Sequence, residues 1–93
     1  MLSPSDFEAV LRLVKKKESF LIIDESFIDF VGDDVSYRHV LVNETCGAVV
    51  MSLTKFYAVP GLRIGAAYLH PTLAERLQDT LIPWNVNGLA QSY

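Results

Sequence analysis

Two uninterrupted apolar runs constrain this chain more than any other feature. Phe20-Leu21-Ile22-Ile23 stops at Asp24-Glu25, and Gly47-Ala48-Val49-Val50-Met51 stops at Ser52-Leu53-Thr54-Lys55. Both runs are too short for a helix and rich in strand formers, so each reads as a β-strand. Neither alternates with polar residues, which predicts strands of a parallel sheet that want cover on both faces. A third strand is expected from Arg63 to Tyr68, after a tight reversal at Pro60-Gly61 with the glycine at positive φ. Its short connection predicts that it runs antiparallel to the second.

Helices are expected to flank these strands. Ser3 offers an N-cap, Pro4 suits the first helical position, and Asp6 and Glu8 place acid in the first turn. Phe7, Val10, Leu11 and Val14 then recur at helical spacing, and Lys15, Lys16 and Lys17 complement the negative end of the helix dipole. Gly32-Asp33-Asp34 marks a turn, and Ser36 is positioned to cap a short helix running to about Asn43. A last helix begins near Pro71, carries Leu73, Leu77 and Leu81 on one face, and is expected to end at Pro83. The tail from Trp84 to Gly88 reads as irregular, with an unfinished helix from Leu89. The order αβ(α)ββα is a fragment of an α/β layer, about three strands, two parallel and one antiparallel, in one unit over residues 1–93 with no internal boundary.

Composition narrows the function classes. With 51% hydrophobic and 20% charged residues the chain is too apolar to be a disordered tail. Eight basic residues face 11 acidic ones, a net charge of −3, which argues against a nucleic-acid surface. Cys46 has no second cysteine to pair with, no secretory leader pattern opens the sequence, and no apolar run approaches the ~20 residues of a membrane span. The expected compartment is the cytoplasm, with no membrane partner. A chain of this length buries only roughly 60 to 65% of its unfolded surface, yet its mean hydropathy is +0.26. That tension predicts a piece of a larger unit or an obligate oligomer.

In open α/β sheets ligands bind beyond the carboxyl ends of the strands. Here two strands end in ionisable residues of opposite sign, Asp24 and Lys55. Across one or two strand spacings of ~4.8 Å they can converge on one ligand, at a separation that suits opposite sides of an aromatic ring. Asp24, directly after four large apolar residues, is expected to be partly buried and to want a cation or several donors. It either meets such a ligand or caps the following turn. Ser52, Thr54, Lys55 and Arg63 bring two hydroxyls, an amine and a guanidinium to one turn, a set suited to phosphate.

The ordered series Asp24-Glu25-Ser26-Phe27, SLTKFYAVPGLRIG and PWNVN resembles the fold-type I pyridoxal-phosphate enzymes of the aminotransferase class I/II family over nearly the whole chain. Within that family the likeness is to the threonine-phosphate decarboxylase branch of cobalamin biosynthesis, then to the histidinol-phosphate aminotransferase branch. The resemblance implies the large-domain sheet of the aspartate-aminotransferase fold and pyridoxal 5'-phosphate as cofactor. It implies that Lys55 forms the Schiff base with the cofactor and then moves protons, that Asp24 pairs with the pyridinium nitrogen, and that Ser52, Thr54 and Arg63 hold the 5'-phosphate. Substrates would be small amino acids or amino phosphates, and the enzyme a homo-oligomer.

Phe27 departs from the tyrosine many relatives carry at that place, which favours the decarboxylase branch. The Asn-Pro-Thr-Gly segment, the phosphate-loop glycines, the ring-stacking aromatic and the small domain of the family lie outside this sequence, so the 93 residues alone are expected to be inactive. A rival reading is a non-catalytic fragment or interaction module. His39 and His70 lack partners at ligand spacing, so no metal site is expected, and Cys46 reads as a small buried residue. Asp33 and Asp34 read as turn residues, the lysine run as a solvated helix end, and Trp84 as a core or interface residue whose family position is near the active-site mouth.

Overall fold

Ser3 caps the first helix as its sequence demands: its Oγ accepts from the Asp6 N–H at 3.2 Å, and Pro4 opens helix α1, Pro4–Lys16. The computed structural model describes residues 2–54, 57–58, 60–82 and 86, with the side chains of Asp33 and Pro60 set aside. Helix α1 ends in a left-handed turn at Glu18, φ 52°, where Ser19 N–H donates to Val14 O at 2.9 Å and Glu18 N–H to Lys15 O at 3.2 Å. This is the Schellman pattern with glutamate where glycine is usual. Lys15 reaches across to Glu44 at 2.9 Å, an ion pair open to solvent.

Strand β1 (Leu21–Asp24) pairs in parallel with β2 (Gly47–Ser52), which pairs antiparallel with β3 (Gly65–Leu69), giving a three-stranded mixed sheet in the order β1-β2-β3. Between β1 and β2 lie two 3₁₀ turns, Ile28–Phe30 and Asp33–Val35, and a one-turn helix α2, Arg38–Leu41. Tyr37, not Ser36, takes the N-cap position of α2; the Ser36 hydroxyl accepts from Arg38 N–H at 3.2 Å from one residue further out, and the helix stops short of Asn43. Helix α3, Pro71–Thr80, starts with His70 Nδ1 accepting from Thr72 N–H at 3.2 Å and ends before Pro83.

One face of the sheet is covered. Phe7 and Leu11 of α1, Leu41 of α2 and Val49 of β2 form the buried cluster, joined by Leu21, Ile23, Tyr37, Cys46 and Tyr68. Burying side chains of this kind is worth about 1.5 to 3 kcal/mol each. Tyr37 stacks on Phe7 with ring centroids 4.1 Å apart, and its hydroxyl donates to Leu2 O at 2.6 Å. Glu25 ties the layers together. Its N–H extends the ladder to Val50 O at 2.8 Å, while its buried carboxylate accepts from Ser36 Oγ at 2.6 Å and Tyr37 N–H at 2.8 Å. Those donors offset the desolvation of the charge.

The other face is open. Phe20 and Ile22 are 50% and 63% exposed, and with Val50, Ala67 and Leu69 they floor a broad apolar depression rimmed by Leu73 and Leu77 of α3. The expected two-sided cover is therefore supplied on one side only by the described residues. Two expectations need correcting. Gly61 does not take the positive φ of the reversal: Pro60–Leu62 forms a 3₁₀ turn, and the left-handed residues are Ala58 (φ 51°) and Arg63 (φ 47°) on either side of it. The third strand begins at Gly65 rather than Arg63, because that left-handed residue breaks the extended run. Among the described residues no helix is long and apolar enough to cross a membrane.

Candidate active site

Parallel pairing sets Asp24 opposite Val50, so the carboxyl ends of β1 and β2 share one edge of the sheet. Antiparallel pairing then starts β3 at the same edge, with Gly65 opposite Ser52, and Leu53 N–H donates to Ile64 O at 3.1 Å to close the hairpin. A Cβ on Gly65 would lie 2.9 Å from Met51 O, so the close approach requires glycine. Arg63, just before this strand, is thereby returned to the edge its sequence neighbours left.

The result is an open cavity of about 300 Å³ lined by Asp24, Ser26, Ser52, Thr54, Arg63 and Gly65 among others. Asp24, Ser52, Thr54 and Arg63, all singled out from sequence, face one space. Ser52 Oγ and Thr54 Oγ1 lie 2.8 Å apart, within one hydrogen bond, and Thr54 is buried to 9% exposure. Arg63 is exposed and held in left-handed backbone, a conformation that costs a non-glycine residue on the order of 1 kcal/mol and clusters at functional sites. Lys55 directly follows Thr54 in sequence and lies outside the described residues, as do the PWNVN segment apart from Val86 and the tail from Leu89.

Asp24 departs from expectation in its burial. It is exposed, because alternation along β1 turns it to the open face of the sheet. It also caps the turn after β1, its Oδ1 accepting from Ser26 N–H at 2.9 Å and from the Ser26 hydroxyl. Capping and lining the cavity are thus compatible. Ser26 is the residue that sequence reasoning quoted without a role: its Oγ also accepts from Ser52 N–H at 2.9 Å, joining β1 to β2 beneath the cavity. Phe27 turns away from this space into an adjoining apolar cleft with Ile28 and Val31, tilted against Phe30 at 6.1 Å between centroids.

The donor set has a clear chemical polarity. Two hydroxyls and a guanidinium suit a bound phosphate, and a carboxylate in the same cavity suits a protonated nitrogen. Pyridoxal phosphate carries both groups, so the residues present fit it. The His70 ring is engaged in the α3 cap, its Nδ1 accepting from Thr72 N–H at 3.2 Å.

Comparison with known proteins identifies the family. Residues 1–93 match the family described as aminotransferase class I and II. The chain is 38% identical over 84 residues to the threonine-phosphate decarboxylase of Salmonella typhimurium, covering 89% of this chain and 23% of that protein. It is 36% identical over 86 residues to the histidinol-phosphate aminotransferase of Flavobacterium psychrophilum, covering 92% and 25%. It is 39% identical over 85 residues to the adenosylcobalamin biosynthesis bifunctional protein of Leptospira interrogans, covering 89% and 10%. The crystal structure of the histidinol-phosphate aminotransferase from Clostridium acetobutylicum superposes with a TM-score of 0.80 at 32% identity, over 96% of this chain and 27% of that one. The chain thus spans about a quarter or less of the relatives it matches. Sheet, edge and sequence agree: the chain belongs to the class I and II aminotransferases, a pyridoxal-phosphate-dependent family with the aspartate-aminotransferase fold.

Proposed function

We propose that residues 1–93 are the central part of the cofactor-binding large domain of a threonine-phosphate decarboxylase-like enzyme. The carrying observation is the shared cavity of Asp24, Ser52, Thr54 and Arg63 at the carboxyl ends of β1 and β2. When bound, pyridoxal phosphate supplies a sink for the electron pair left by a broken Cα bond. Asp24 holds a proton on the ring nitrogen. Ser52, Thr54 and Arg63 bind the phosphate and fix the ring's orientation. Lys55 would hold the cofactor covalently, and its amine would move protons at the substrate Cα.

The decarboxylase branch is favoured by Phe27, which has no hydroxyl to offer, and by the likeness to the Salmonella enzyme. The likeness to histidinol-phosphate aminotransferases of similar identity supports a second reading, transamination of histidinol phosphate or another amino acid. In either case the substrate is a small amino acid or amino phosphate, and the working enzyme is a cytoplasmic homo-oligomer completed by further chain.

Addition of pyridoxal phosphate to the chain, followed by borohydride reduction and mass mapping, tests the cofactor assignment. A reduced adduct at Lys55 that disappears in Lys55→Ala is the expected result. Labelling spread over Lys15, Lys16 and Lys17, with none at Lys55, would defeat it.

A further inference from the structure

Ser26 makes three hydrogen bonds from one position at the end of β1. Its N–H donates to Asp24 Oδ1 at 2.9 Å, its hydroxyl donates to the same oxygen, and its Oγ accepts from Ser52 N–H at 2.9 Å. The residue is 9% exposed, so water competes weakly for these bonds. A hydroxyl has one proton to give. The Ser52 amide can only donate, so the Ser26 proton is directed to Asp24, and the two bonds polarise each other in one direction. Alanine at this place would keep the backbone bond and lose both of the others.

We infer that Ser26 is a positioning residue that locks the Asp24 carboxylate to the carboxyl end of β2, so that the nitrogen-gripping and phosphate-gripping sides of the site form one rigid unit. The inference rests on the roles proposed above for Asp24 and Ser52. Asp24 shares its cavity with the Arg63 guanidinium, while the neighbouring Glu25 carboxylate is turned to Ser36 and Tyr37. The hydroxyl is thus a local donor to Asp24 beside whatever charge Arg63 contributes, and removing a donor to a carboxylate disfavours its charged form.

The test is a carbon-detected titration of the Asp24 side-chain carboxyl in the 93-residue chain without cofactor, in the wild type and in Ser26→Ala, Ser26→Cys and Ser26→Thr. The expected result is a midpoint higher by about half a pH unit in the Ala and Cys variants, with the wild-type value kept in Thr, a small shift because Asp24 is exposed. The Ser52 amide proton resonance should follow the Asp24 titration in the wild type and cease to follow it in Ser26→Ala. An unchanged midpoint in both Ala and Cys would overturn the inference. So would loss of the fold in both, which would make Ser26 a purely structural residue; if only Ala unfolds, Cys, of nearly the same volume, decides. Borohydride trapping at Lys55 is read separately: its absence in the wild type would defeat the cofactor assignment and leave the Ser26 coupling standing.

Discussion

The two faces of this sheet are built from the same strands and have opposite fates. Leu21, Ile23, Val49 and Tyr68 look toward α1 and α2 and join the buried cluster, whereas Ile22 and Phe20 stand in the open. Asp24 points with the open set and reaches the cavity. The covered face supplies stability, and the open face, at its carboxyl edge, carries the candidate site. The two duties are separated by a single residue step along each strand, since side chains alternate across a sheet.

Substitutions can break or sharpen that separation. Leu41 is fully buried on the covered side, so Leu41→Ala should lose about 2 to 5 kcal/mol in urea unfolding. At the site edge, Gly65→Ala forces a methyl against Met51 O and should lose about 1 to 3 kcal/mol, while also reducing pyridoxal phosphate trapping at Lys55. Glu18→Gly at the end of α1 relieves a left-handed backbone and should raise stability by about 1 kcal/mol, read as a higher urea midpoint at constant slope. Ile22→Ala on the open face should change stability by no more than about half a kcal/mol. A loss there as large as that of Leu41→Ala would mean that the open face is buried against a second copy in solution, which sizing of the chain would report.

Much of the architecture was legible because local signals agreed with one another. Ser3-Pro4 and the stripe of Phe7 and Leu11 define α1, and the two apolar runs became neighbouring parallel strands. Sequence also singled out four of the cavity's lining residues, since polar groups at strand ends gather on one sheet edge whatever the details between them. The failures have separate causes. Left-handed backbone fell on Glu18, Ala58 and Arg63, residues that carry no glycine signal, while Gly61 stayed outside that region. The exposure of Asp24 depends on what covers the open face, which no local pattern encodes. Ser26 looked like an ordinary turn serine because its partner, Ser52, is distant in sequence.

The hairpin of β2 and β3 has a last consequence. At Ser52 and Gly65 the two strands touch backbone to backbone, with no room for even a methyl group between them. The spacing from which the hydroxyls and the guanidinium set out is therefore dictated by peptide geometry and is indifferent to how the rest of the sheet is upholstered. If the site holds a phosphate as proposed, these groups approach it from a base of fixed width.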